Sequence, residues 1–171
     1  MEKDSNSVWQ RAVSFAARAH DGQFRKDKLT PYVAHPFRVA MTVRHIFGTD
    51  DVTALAAAML HDTIEDTTTD YDDLLAEFGR EIADSVAALT KDMRMEEAKR
   101  ELAYDRQLAD ASWQARLVKL ADAYDNYCDQ FDETKRAKTV DKIRRAIVCA
   151  GDDPRLQVAV AAVKKLIDGQ S

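Results

Sequence analysis

Apolar residues at 8, 9, 12, 13, 15, 16, 17 and 19 recur at helical spacing, so the pattern predicts a first helix from Val8 to Ala19, with Ser7 placed to cap its first turn. Asp21 to Pro36 contains Gly22, Pro31, Pro36 and the basic pair Arg25-Lys26, and reads as a loop with an extended Pro31-Tyr32-Val33 segment. Pro36 suits the first turn of a second helix running to Phe47, which sets His35 at its entrance. Gly48 stops that helix, and Thr49 or Asp50 can cap a third, through Ala54, Leu55, Ala58 and Met59 to His61-Asp62. A polar turn at Thr67 to Asp70 precedes helices over Tyr71 to Phe78 and Glu81 to Lys91, divided by Gly79. Asp92 to Arg100 is charged and fits a loop or a solvated helix. Further helices are expected over Glu101 to Asp110, Trp113 to Cys128, Lys135 to Ala150 and Arg155 to Ile167. Strand-type alternation and any repeat of about 20 to 50 residues are missing, so the expected class is all-α.

Composition narrows this picture without changing it. A chain of 171 residues is most simply one domain, 1–171, and 46% hydrophobic with 32% charged residues, five Gly and three Pro is a helix-rich globular mixture. The formal charge of -5 argues against a general nucleic-acid binder, although a local basic patch is compatible with it. No apolar run approaches the roughly 20 residues of a membrane span. Cys128 and Cys149 lack metal-type spacing and no secretory leader precedes them, so a reducing cytoplasm and ordinary thiols are expected. Oligomeric state leaves no mark in the pattern.

The candidate chemistry begins where the third helix ends. His61 is followed by Asp62, Glu65 and Asp66, and an imidazole with three carboxylates at the end of a buried helix costs stability unless a metal or a reaction uses it. Were the helix to continue, His61 and Glu65 would share one face, with Asp62 and Asp66 in a parallel row. A metal site needs ligands from other elements, and His35 and Asp122 are the candidates; the two imidazoles and two carboxylates would suit Mn2+, Fe2+, Co2+ or Zn2+. Asp122 alone also fits a capping or pairing role. His20 and His45 read as ordinary, partly buried histidines. Neither a Gly-x4-Gly-Lys-Ser/Thr loop nor a Gly-x-Ser-x-Gly elbow occurs, which leaves water as the expected nucleophile.

The order His35, His61-Asp62, Asp122 resembles the HD superfamily of metal-dependent phosphohydrolases. The surrounding words, His20-Asp21-Gly22-Gln23-Phe24-Arg25-Lys26, Pro31-Tyr32-Val33-Ala34-His35-Pro36, Leu60-His61-Asp62-Thr63-Ile64-Glu65-Asp66-Thr67 and Leu117-Val118-Lys119-Leu120-Ala121-Asp122, are similar to the hydrolase domain of the RelA/SpoT family. That resemblance runs from Val8 to Asn126 and loosely beyond. It implies an HD-domain helical bundle that hydrolyses ppGpp and pppGpp to GDP or GTP plus pyrophosphate. It further implies one divalent ion, usually Mn2+, on His35, His61, Asp62 and Asp122; Glu65 and Asp66 acting on the attacking water and the leaving-group proton; and Arg25, Lys26 and Asn126 at a guanine nucleotide, with Lys91 near the pocket mouth.

After Asp122 the chain departs from the long family members, carrying Ala123-Tyr124-Asp125-Asn126 where they commonly have Arg-Leu-His-Asn. Asp125 adds a negative charge that disfavours a polyanionic substrate unless it faces away or is paired. Two alternatives therefore stand beside alarmone hydrolysis: an HD phosphohydrolase for another nucleotide or a 3′-phosphorylated cofactor such as NADPH, and a catalytically silent nucleotide-binding module.

Overall fold

The computed structural model describes residues 5–130 and 132–169. Their helices are α1 (Ser5–Ala19), α2 (Ala34–Met41), α3 (Val52–Leu60), α4 (Thr63–Asp66), α5 (Tyr71–Phe78), α6 (Arg80–Leu89), α7 (Glu97–Ala109), α8 (Trp113–Cys128), α9 (Glu133–Ala150) and α10 (Gln157–Ile167). A π-helical turn, Thr42–Ile46, continues α2, and a 3-10 turn, Pro154–Leu156, leads into α10. Among the described residues no strand forms; the one β-type pairing is an isolated antiparallel bridge between Phe24 and Pro31. The all-α expectation holds.

α3 explains the layout. Ala54, Ala56, Ala57, Ala58, Met59 and Leu60 are all buried, so this helix is apolar on nearly every side and has to sit in the middle, against α1, α2, α6 and α8. α8 is the second hub, packed on α2, α3, α6, α9 and α10. Their alanines let backbones approach closely, which brings the C-terminal end of α3 beside the middle of α8.

Several boundaries differ from the sequence expectation for local reasons. α1 begins at Ser5, so Ser7 lies within it and not at its cap; the Ser7 side chain is outside the described set. Tyr32-Val33 is not extended: Val33 is helical (φ -56°, ψ -20°), and Ala34 and His35 donate back to Pro31 and Tyr32, so the chain turns directly into α2. Asp51, not Thr49 or Asp50, caps α3 by accepting from the Ala54 amide at 2.8 Å. α3 ends at Leu60, and Asp62 (φ -97°, ψ -2°) breaks the helical path before the short α4. Asp92 to Glu96 is non-helical, and α7 starts at Glu97, four residues earlier than expected. Gly48 (φ 74°) and Gly79 (φ 86°) take left-handed conformations at which α2 with its π-turn and α5 stop.

Candidate active site

The site forms where α2, the end of α3 and α8 meet. His35 lies in the first turn of α2, 2% exposed; His61 directly follows α3, 4% exposed; Asp122 projects from the middle of α8. Each imidazole is tethered by its Nδ1. His35 Nδ1–H donates to Asp125 Oδ2 at 2.7 Å, and His61 Nδ1–H donates to the Ala58 carbonyl at 2.8 Å. Because a carboxylate and a carbonyl only accept, the neutral rings are left with Nε2 as a lone pair, and both Nε2 atoms face the same carboxylates.

The distances are short and mixed. His35 Nε2 is 3.3 Å from Asp122 Oδ1 and 3.6 Å from Asp62 Oδ2; His61 Nε2 is 3.1 Å from Asp62 Oδ2 and 3.8 Å from Asp122 Oδ1. His61 Nε2 is nonetheless a buried atom with no aligned hydrogen bond. One donor atom from each of His35, His61 and Asp62 falls within 4.8 Å of the others, a grouping that suits a metal ion. The donor set fits a divalent cation: two fixed imidazole lone pairs, one orphaned, facing two carboxylates.

Without a cation the cluster holds protons instead. Burial opposes charging His61, but Asp62 and then Asp122 outweigh it and push this imidazole up to about 9. Burial likewise opposes ionising Asp62, and the His61 charge overrides it, holding that carboxyl down to about 2. Asp122 is held well below the usual carboxylate range despite its burial, chiefly by the Lys119 ammonium, whose Nζ donates to Oδ2 at 2.8 Å. Asn126 donates its amide to the other oxygen, Oδ1.

The acidic pair expected beside the cluster does not continue α3. Glu65 and Asp66 lie on α4, after the break at Asp62, and both line a cleft of about 590 Å³ with His35, His61, Asp62 and Asp122. Glu65 Oε2 accepts the Lys91 amide at 2.9 Å, so Lys91 touches the site through its backbone, while its Nζ pairs with Glu101 at 2.7 Å. Asp66 is exposed and sits 3.1 Å from the Tyr32 hydroxyl, which donates to Asp62 Oδ2 at 2.7 Å. Burial and the two carboxylates raise the Tyr32 phenol far above its ordinary value, so it remains a donor.

Arg25 and Lys26 diverge. Arg25 enters the cleft over the Tyr32 ring (5.5 Å), with Nε and Nη2 on Asp129 Oδ2 at 3.1 and 2.7 Å and Nη2 3.4 Å from Asn126 Oδ1. Lys26 is exposed and lines a neighbouring hollow of about 730 Å³, which shares Lys91, Lys119, Asp122 and Asn126 with the cleft. Asn126 thus stands on the wall between the two spaces with its amide nitrogen committed to Asp122. His20 is buried and stacks on Tyr32 at 4.8 Å, whereas His45 is exposed, contrary to the expectation of partial burial.

The sequence leaves open whether Asp125 is paired, and it assigns no role to Tyr32, Arg38, Lys119 and Asp129. Arg38 grips Asp125 through Nε and Nη2 at 2.6 and 2.9 Å, so the added carboxylate is buried and paired. A signal was present: Tyr32 and Arg38 stand three residues either side of His35, and Lys119 and Asp125 three either side of Asp122, the spacing that puts side chains on one helical face.

A family model described as an HD domain matches residues 12–168. Guanosine-3′,5′-bis(diphosphate) 3′-pyrophosphohydrolase MESH1 of Danio rerio is 40% identical over 130 residues, covering 75% of this chain and 72% of that protein. Its Homo sapiens counterpart is 41% identical over 119 residues, covering 69% of this chain and 66% of that protein. The solved structure of a metazoan ortholog of SpoT that hydrolyses ppGpp superposes with a TM-score of 0.80 at 26% identity, covering 95% of this chain and 96% of that one. The chain therefore belongs to the HD-domain family, among the homologues of MESH1 and SpoT.

Proposed function

We propose that this protein is a single HD domain, 1–171, that removes pyrophosphate from the 3′ position of ppGpp and pppGpp, leaving GDP or GTP. The observation that carries the reading is the convergence of His35 and His61 Nε2 on Asp62 and Asp122, with one ring nitrogen orphaned, in a chain whose small relatives are named for this reaction. His35, His61, Asp62 and Asp122 would hold one divalent ion, Mn2+ in our reading. When bound, it supplies Lewis-acid stabilisation of phosphoryl charge and a lowered pKa for water.

The chain's own groups do the rest. Glu65, fixed by the Lys91 amide, accepts a proton from the attacking water; Asp66, at the cleft rim beside Tyr32, manages the proton that the departing 3′ oxygen needs. Tyr32, protonated and donating to Asp62, holds that carboxylate in place. Arg25, restrained by Asp129, offers a flat cationic face for a purine, and Asn126 keeps Arg25 and Asp122 in register. Lys26 stands at the adjoining hollow, where cationic surroundings favour substrate phosphates. Arg38 offsets the added charge of Asp125, removing an objection to a polyanionic substrate. We assign the protein to the cytoplasm; among the described residues no helix is long and apolar enough to cross a membrane.

The test is a substrate panel of ppGpp, pppGpp, dNTPs, NADPH and cyclic nucleotides with Mn2+, Mg2+, Co2+ and Zn2+, read by product chromatography. Pyrophosphate and GDP from ppGpp are expected to dominate. Preferential phosphate release from NADPH would transfer the reading to a 3′-phosphorylated cofactor, and tight alarmone binding without turnover in any metal would make the protein a binding module.

A further inference from the structure

His35 receives support that His61 does not. The Nδ1 of His61 is held by a backbone carbonyl of its own helix, whereas the Nδ1 of His35 is held by a side chain from α8, Asp125, which is 5% exposed. Asp125 has no freedom of its own: Oδ1 accepts Arg38 Nε at 2.6 Å, and Oδ2 accepts both Arg38 Nη2 at 2.9 Å and His35 Nδ1 at 2.7 Å. Arg38 in turn lies 3.4 Å from Asp129, the same carboxylate that holds Arg25. Arg38 and His35 share one face of α2, and Asp125 lies in the last turn of α8 with Asp129 at its C-terminal cap, so the bridge ties the two helices together just behind the site.

We infer that Asp125 and Arg38 are positioning residues for His35: the paired carboxylate fixes the ring's orientation and tautomer from behind, so that its Nε2 lone pair meets the cation opposite His61. This rests on the metal site proposed above and assigns a purpose to a segment, Ala123-Tyr124-Asp125, that differs from the long family members. A carboxylate behind a ligating imidazole restricts rotation about its side-chain bonds and raises its basicity, and losing such a partner costs about 10- to 100-fold in metal affinity. Arg38 matters because a buried carboxylate without its guanidinium is free to rotate or draw in water, and then ceases to define one ring angle.

Mn2+ affinity of the whole protein, measured by chelator competition with circular dichroism as a check of folding, tests the inference. Asp125→Ala is expected to weaken Mn2+ binding about 10- to 100-fold, Arg38→Ala to weaken it several-fold, and Arg38→Lys to recover part of that loss. Arg38→Ala decides between positioning and simple charge, because removing a nearby cation would by charge alone tighten Mn2+ binding. Tighter binding in Arg38→Ala, or affinity within about 2-fold of wild type in folded Asp125→Ala, overturns the inference. Should Asp125→Ala fail to fold, Asp125→Asn serves: it keeps the shape but has one acceptor oxygen for donors that now use two, and unchanged affinity there is equally fatal. The metal site itself is judged separately by wild type and His61→Ala: Mn2+ bound by the first and lost by the second upholds the site even where Asp125 proves irrelevant.

Discussion

A metal-free cluster that stores protons makes stability depend on pH in an unusual direction. The His61 imidazole stands at 6.5 in an unfolded chain and is pushed up to about 9 in the folded, metal-free protein, a difference worth roughly 3 kcal/mol at about 1.4 kcal/mol per tenfold in proton affinity. Because the folded value is the higher one, this stabilisation is complete below about pH 6.5 and is lost as pH rises through 9. The depressed Asp62 value reports the same His61-Asp62 attraction from the other side, so it is not added; its own loss falls below pH 4, as pH drops toward 2. His35 is shifted upward as well, despite its burial, by Asp122 and Asp125, and contributes with the same sign. For a domain of this length, about 3 kcal/mol corresponds to roughly 6 to 12 °C in Tm. Thermal unfolding followed by circular dichroism in EDTA should therefore show Tm falling by about that amount between pH 6.5 and 9.5. In saturating Mn2+ the trend should reverse, because protons compete with the cation for the same nitrogens. A flat or rising Tm in EDTA over that window, or an undiminished slope in His61→Gln, would refute the assignment of the slope to this cluster.

Further outcomes follow from other parts of the site. Glu65→Gln keeps an oxygen for the Lys91 amide but removes the proton acceptor, so steady-state assays should show kcat reduced about 10²- to 10⁴-fold while chelator competition shows Mn2+ affinity little changed. Arg25→Ala, which removes the cationic face over Tyr32, should raise KM for ppGpp more than it lowers kcat; an unchanged KM would return Arg25 to a purely structural pairing with Asp129. Leu60→Ala deletes a fully buried side chain beside the ligands and should cost about 2 to 5 kcal/mol in urea unfolding.

The helices were legible because periodicity records which face is buried, and α3 was the clearest case, apolar on nearly every side. Glu65 and Asp66 are legible as a pair but not in their placement, since the sequence leaves open whether the helix continues past Asp62, where the chain in fact leaves the helical path and starts α4. The turn at Tyr32-Val33 is hidden in the sequence because proline at 31 and 36 marks only a boundary, and the direction the chain takes between them is set by the bridge from Phe24 to Pro31 and by the amides returning to Pro31 and Tyr32. What stayed hidden were partnerships across elements, Arg38 with Asp125, Arg25 with Asp129 and Tyr32 with Asp62. Sequence spacing shows that Arg38 shares a face with His35, but not which residue of α8 will stand opposite it.

These hidden partnerships also explain how so many charges survive beside an apolar core. Asp62, Asp122 and Lys119 have side chains 21%, 13% and 18% exposed, and the flanking residues Leu60, Leu120 and Ala121 are fully buried. An ion left alone there would cost several kcal/mol. None is alone: Asp122 takes a hydrogen bond from Lys119 on one oxygen and from Asn126 on the other, Asp62 takes one from Tyr32, and Asp125 takes three from His35 and Arg38. Within this cluster His61 Nε2, oriented by its own helix, has no aligned hydrogen bond and faces Asp62 Oδ2 at 3.1 Å as an ion pair. A network that gives each carboxylate its own donors and turns the Nε2 atoms of His35 and His61 toward Asp62 and Asp122 suits shared protons or a cation at the same atoms, so proton loss and cation binding there compete directly.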